Sequence, residues 1–417
     1  MRSQHRRKAW LALPAVAAAM SLVVAGCSSS DDDSDSTATD TSVLGAANKA
    51  TGTPVKVMYE APGSQLPNHT QEIEVAKATA SYINDYLGGI NGHPVEIQVC
   101  EDAGQVGPAR ECANKAVADK NIVAVLTATP ANPDAIVSVT SPAGLSFFSS
   151  AASGTKTATL PNTHVLLNGA TVVGVPAYLA KESGAKNAAI ITIDVPIATG
   201  QIKMLAPLVF GNAGATQETI PVPIGTPDMT SAVQTALDKK AEVIHILGAG
   251  DFCVAAFKAI RTLGVKQQIT TIDQCIDKKV ADQIPGGYEG VKVGVTASLD
   301  PKAQDTKVFN AVLEKYGVKD GQDGSLGFSS VLGFQRALTG MEGDLTRESV
   351  AARLNKMPAP VDVPLGAGGK FQCGSKPVAV VPNSCSGSAV IGTADKDGNI
   401  GDLTAVQMGD LFAMPKG

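Results

Sequence analysis

The feature that most constrains this chain is an alternation that runs from about residue 54 onward. Short, continuously apolar, β-branched runs take turns with stretches of helical periodicity. The runs at 55–59, 94–100, 122–126 and 145–148 read as strands, with helices expected at 69–87, 108–119 and 133–139. The plan then restarts. Strands at 188–193, 218–224, 242–247 and 268–272 alternate with helices at 171–182, 200–210, 227–239 and 252–263. Continuous apolar character marks strands covered on both faces, hence parallel sheets. Two successive sets of β–α–β units predict an α/β fold of two doubly wound parallel-sheet lobes.

The last part of the chain cannot make a third equal domain. A strand at 291–297 and helices at 302–316, 326–341 and 346–356 precede a Gly-, Pro- and Cys-rich segment. A hairpin turn is expected at Asp397-Gly398. These pieces are expected to return to both lobes, giving 54–168 with 298–360 as lobe 1 and 169–297 with 361–417 as lobe 2. Several crossovers make a hinge, and hinged lobes close on ligands.

The 417 residues carry a formal charge of −5 and show no basic face, which argues against nucleic-acid binding. Past the N-terminus no apolar run approaches a membrane span. The first residues are basic (Arg2, Arg6, Arg7, Lys8), an apolar stretch covers 9–24, and small residues precede Cys27. This is the layout of a secretory signal over 1–26. Val24-Ala25-Gly26-Cys27 also resembles the lipobox of bacterial lipoproteins, which implies diacylation of Cys27 and an anchor on the outer face of the cytoplasmic membrane. The Ser- and Asp-rich stretch that follows, to residue 53, is expected to be a disordered acidic tether.

Cys27 aside, the cysteines are Cys100, Cys112, Cys253, Cys275, Cys373 and Cys385. In an exported chain an even number suggests disulfides. Pairing of sequence neighbours, Cys100–Cys112, Cys253–Cys275 and Cys373–Cys385, is the simplest arrangement. No C-x-x-C or His cluster suggests a metal or redox site.

No catalytic constellation stands out. Asp395-x-Asp397-x-Asn399 places its Gly and its last acid wrongly for a calcium loop. Gly248-Ala249-Gly250 lacks the rest of a dinucleotide fingerprint. His245 lies inside an apolar strand and reads as a core imidazole. No cofactor is expected.

More informative are the loops after the strands, where open α/β sheets bind ligands. Thr127-Ala128-Thr129 and Ser149-Ser150-Ala151-Ala152-Ser153 offer hydroxyls and backbone N–H groups that either cradle a carboxylate or cap helices. Asp251 and Asp273 end neighbouring strands beside Cys253 and Cys275. Either acid would pair with a ligand ammonium or cap a helix, the cap being the better reading for Asp251.

The run from Ile83 through Leu87-Gly88-Gly89-Ile90-Asn91-Gly92, with Pro94-Val95-Glu96-Ile97 and Cys100-Glu101-Asp102 after it, resembles the first lobe of type I periplasmic binding proteins. The similarity is to the leucine/isoleucine/valine-binding branch that serves ABC importers. The resemblance implies that Thr129 receives a ligand carboxylate, with Ala151, Ala152 and Ser153 completing that cradle. It implies that Asp273, or Gln274 one residue on, binds the α-ammonium. Asn68, Ala198 and Ala249 stand where that branch has Trp or Tyr. The function implied is a monomeric, lipid-anchored, non-enzymatic solute-binding protein of an ABC importer. Its ligand would be an amino acid or a similar small carboxylate or amide, and its partners a permease and its ATPase. A sensory module using the same cleft is the alternative, and an α/β-cleft enzyme a weaker one.

Overall fold

The computed structural model describes residues 40–65 and 69–414. The signal segment, Cys27 and Asn68 lie outside the described residues.

Five parallel strands build the first sheet: β1 (Val55–Ala61), β2 (Val95–Glu101), β3 (Ile122–Thr127), β4 (Ser146–Ser149) and β5 (Thr163–Val165), in the order β2-β1-β3-β4-β5. Helices α1 (Thr70–Tyr86), α2 (Val106–Ala118), α3 (Pro133–Thr140) and the short α4 (Thr155–Thr159) connect them. In α1 the spacing of Ile73, Ala76, Ala80 and Ile83 puts one apolar face against the sheet, and all four are buried. The turn after α1 explains its glycines. Gly89 has φ +72°, and a Cβ there would fall 2.1 Å from the His93 carbonyl oxygen.

The second sheet has seven strands in the order β14-β13-β10-β9-β8-β6-β7. Its parallel part is β6 (Asn187–Ile193), β7 (Thr216–Val222), β8 (Val243–Leu247), β9 (Gln268–Ile272) and β10 (Lys292–Val295). Connecting them are α5 (Thr171–Ser183), α6 (Pro196–Asn212), α7 (Thr230–Asp238) and α8 (Asp251–Thr262). Helix α6 begins four residues before the expected start, because Pro196 suits the first helical turn, where no N–H is needed.

Helices α9 (Gln304–Lys315), α10 (Ser325–Leu338) and α11 (Arg347–Asn355) return to the first sheet, burying Phe309, Phe328, Phe334 and Leu354 with Tyr59 and Phe148. Glycine makes the α1–α10 approach close: a Cβ on Gly327 would lie 2.4 Å from the Glu72 carbonyl oxygen. Arg347, itself buried, donates from Nε to the Ile122 carbonyl at 2.7 Å and from its terminal nitrogens to the carbonyls of Ala116, Val117 and Asp119. One guanidinium thus fastens α11 to the end of α2 and the start of β3.

The ribbon β11 (Val361–Asp362) and β12 (Lys370–Phe371) follows, and the antiparallel hairpin β13 (Ser388–Ala394) and β14 (Ile400–Gln407) completes the second sheet. Its turn falls at the expected Asp-Gly: Asp395 Oδ1 accepts from the backbone N–H groups of Asp397 and Asn399.

Two expected boundaries differ. The stretch 361–385 is expected in lobe 2, yet Val363, Leu365, Phe371, Cys373 and Cys385 are buried in the first lobe's core, and Val165 exchanges backbone bonds with Asn383 and Cys385. The last crossing therefore lies near 385–388; the others lie near 166–170 and 295–298. The tether also stops short of residue 53. Leu44 is 4% exposed in the core, and the backbone N–H groups of Asn48 and Ala50 donate to the carbonyls of Asp85 and Asn84 at the end of α1. One apolar anchor and orphan carbonyls at a helix C-terminus are enough to order a polar stretch.

Disulfides join Cys100–Cys112, Cys253–Cys275 and Cys373–Cys385. His164 lies beside the last of these, but sulfurs bonded to each other are not thiolates and offer no metal site. Burial holds His164 and His245 neutral, at about 4 and about 3. Among the described residues, no helix is long and apolar enough to cross a membrane.

Candidate ligand-binding site

A cavity of about 550 Å³ lies between the two sheets, at the carboxyl ends of their parallel strands. The first lobe contributes the loops after β4 and β5, and the second lobe those after β6, β8, β9 and β10. The crossing segments supply Val363, Gly366 and the start of β13. The site follows from topology: strand ends are where side chains leave the sheet and helix N-termini point inward.

Of the residues singled out from sequence, Ala151, Ser153, Ala198, Ala249 and Gln274 line this cavity. Thr129, Ser150, Asp251 and Asp273 are not among its lining residues. Thr129, Ser150 and Asp273 are held by partners that sequence order conceals, whereas Asp251 stands at the helix start where the sequence placed it. The Thr129 hydroxyl donates to a Glu72 carboxylate oxygen and meets His69 Nδ1 at 2.9 Å. Glu72 also lies 3.2 Å from that imidazole nitrogen, and its hydrogen bond raises the His69 pKa. Ser150 is fully buried, and its Oγ donates to the Leu326 carbonyl at 2.7 Å, tying the end of β4 to α10. Asp251 is exposed in the first turn of α8, where a carboxylate complements the helix dipole.

Asp273 is the most instructive. Its Oδ1 accepts from the Gln274 N–H at 2.9 Å, and its Oδ2 accepts from both the N–H and the hydroxyl of Thr296 at 3.0 Å. The carboxylate therefore joins the ends of β9 and β10 and turns Gln274 and Thr296 to the cavity. The Cys253–Cys275 bridge secures the same corner from behind, between α8 and the turn after β9.

Two features escaped the sequence reading. Asn168, only 2% exposed, lines the cavity. Its Oδ1 accepts from the Ala170 N–H at 3.0 Å, while its Nδ2 has no partner among the described residues. An Asn one residue before a Gly and a helix start looks like an ordinary turn residue, so only its surroundings reveal it. The second feature is Glu60, an acid inside the apolar run of β1 and fully buried. Burial, reinforced by Asp102, holds its carboxyl well above the usual range.

Comparison with known proteins fits this geometry. A family model described as periplasmic binding protein matches residues 63–381. A search of curated proteins returned no match. Among solved structures, a putative branched-chain amino acid ABC transporter from Rhodospirillum rubrum superposes with a TM-score of 0.67 at 18% identity, covering 85% of this chain and 100% of that one. A leucine-, isoleucine-, valine-, threonine- and alanine-binding protein from Brucella ovis in its closed conformation gives 0.67 at 14% identity, covering 87% and 97%. A solute-binding protein from R. palustris in complex with 4-hydroxybenzoate gives 0.61 at 16% identity, covering 86% and 98%. At such identities the structural matches establish the two-lobed fold, whereas the family match extends over most of the sequence. The chain belongs to the periplasmic binding protein family.

Proposed function

We propose that this protein is the solute-binding component of an ABC importer, lipid-anchored through Cys27 outside the cytoplasmic membrane. It captures a small organic molecule between its lobes. The observation that carries this reading is the cavity itself, which is roofed and floored by strand-end loops of both sheets and closed at one side by the crossing segments. A ligand there touches both lobes at once, so its binding energy favours the closed arrangement. Ala151 and Ser153 from the first lobe and Ala198, Ala249 and Gln274 from the second form its contacts. Thr129, Ser150 and Asp273 hold the loops that present them. In this reading the chain acts as a monomeric binding protein and hands its ligand to a permease coupled to an ATPase.

Of the structural neighbours, one is described as binding leucine, isoleucine, valine, threonine and alanine, and another is in complex with 4-hydroxybenzoate. The small residues Ala198 and Ala249 leave room for either class here. The test is a dye-based thermal shift on the purified chain with amino acids, aromatic acids and amides. The dye is needed because Trp10, the only Trp, lies in the expected signal. A ligand at ~1,000 times its Kd adds about 4 kcal/mol, which reads as several degrees. Ala249→Trp takes up part of the cavity and should alter the shift given by any ligand held there. A shift left unchanged by this substitution would move the binding site elsewhere.

A further inference from the structure

We infer that the ligand carries no ammonium group and presents an oxygen acceptor to Asn168 Nδ2, with an apolar body filling the rest of the cleft. This inference rests on the solute-binding reading and narrows it to a ligand class.

Charge comes first. Among the described residues, no Asp, Glu, Lys, Arg or His lines the cavity. The acid expected to meet an ammonium, Asp273, already accepts three hydrogen bonds from Gln274 and Thr296. An ammonium enclosed there would leave water without gaining a counter-charge, and burial of an unpaired ion is strongly unfavourable.

Shape and polarity come second. The body of the cleft is apolar, with Val172, Ile193, Leu247, Ile272, Val295 and Val390 around it. Into this setting Asn168 brings a nearly inaccessible amide whose Oδ1 is satisfied by Ala170 and whose Nδ2 donor is not satisfied by any described group. Buried donors are rarely left unmade, because the desolvation penalty goes unrepaid. A carbonyl or amide oxygen of the ligand repays it, whereas a carboxylate would be a second unpaired ion in the same uncharged cleft. The side chain is held at its other end by the Ala170 N–H, so the bond forms with little loss of rotamer freedom.

The experiment is calorimetric titration of the full chain with probes of one skeleton: leucine, 4-methylpentanoate and 4-methylpentanamide. Phenylalanine and 3-phenylpropanamide form an aromatic pair. Within each series the amide should bind at least tenfold more tightly than the amino acid, and 4-methylpentanoate, an unpaired anion, should bind more weakly than 4-methylpentanamide. Asn168→Asp keeps the acceptor that Ala170 uses but replaces the donor with a carboxylate oxygen; it should lose the amides by tenfold or more while its ligand-free melting temperature holds. Asn168→Leu should lose them equally. Tighter binding of leucine or phenylalanine would overturn the inference and leave the solute-binding reading standing. Undiminished amide binding by both variants would remove Asn168 from the site. If none of the probes binds, the inference falls together with the reading beneath it.

Discussion

Replacing Glu60 with glutamine should change how stability depends on pH, and the size of the change can be worked from its surroundings. Strand β1 runs between β2 and β3, so Glu60 sits beside Asp102, just past the end of β2, and beside Thr127 at the end of β3. All three are fully buried. Burial is the main cause of the raised Glu60 pKa, and the Asp102 carboxyl is the next. Thr127 acts the other way by favouring the ionised carboxyl, while Glu72 adds further negative charge. The folded state therefore keeps a proton that the unfolded chain releases above about 4.3. A raised acid stabilises the fold at low pH, and that contribution is lost as pH rises toward the folded-state pKa. The loss runs at about 1.4 kcal/mol per pH unit for one proton. Glutamine has the same shape and nothing to ionise. Relative to the parent, Glu60→Gln should therefore gain stability steadily as pH rises above the unfolded-state pKa, at up to about 1.4 kcal/mol per pH unit, until the folded-state pKa is passed. Urea denaturation in half-unit pH steps reads this directly, provided that the slope m is unchanged. His69, whose pKa is also raised, loses its own contribution as pH rises, but it is present in both proteins and cancels in the difference. Parallel stability curves for the two proteins would show that Glu60 titrates as an ordinary surface acid and would refute the argument.

Three further outcomes are expected. Asp273→Asn should cost about 1–2 kcal/mol in chemical denaturation, through the loss of a charge-assisted bond to Thr296, while 4-methylpentanamide binding changes little; a selective loss of leucine binding would instead restore Asp273 as an ammonium site. Arg347→Met should destabilise by about 3–5 kcal/mol, because it strands buried carbonyls at the end of α2 and the start of β3, and loss of cooperative unfolding is the sign to look for. Alkylation of the denatured, unreduced chain should leave Cys100, Cys112, Cys253, Cys275, Cys373 and Cys385 unlabelled by peptide mapping; removing the Cys100–Cys112 bridge, a separation of 12 residues, should cost about 3 kcal/mol.

Much of this protein is local in origin and therefore readable from sequence. The apolar runs of β1, β3, β6 and β8, the helical spacing of α1, the Asp-Gly turn and the pairing of neighbouring cysteines depend on residues close together in the chain. Parallel strands buried on both faces follow from those runs, and two lobes follow from the restart. The rule that ligands sit past strand ends points to the loop that carries Ala151 and Ser153, while Ala198, Ala249 and Gln274 come from the family resemblance; all five line the cavity. What sequence could not decide is which polar groups remain free. Thr129 is engaged by Glu72, 57 residues away; Ser150 by Leu326, 176 away; and Asp273 by Thr296, 23 away. A hydroxyl or carboxylate has the same identity whether it faces a ligand or another part of the protein, and long-range packing alone chooses between them. The same holds in reverse for Asn168, an unremarked turn residue until the lobes enclose it and leave one donor unanswered. Hydrogen-bond capacity is written in the sequence, but its vacancy is a property of the fold.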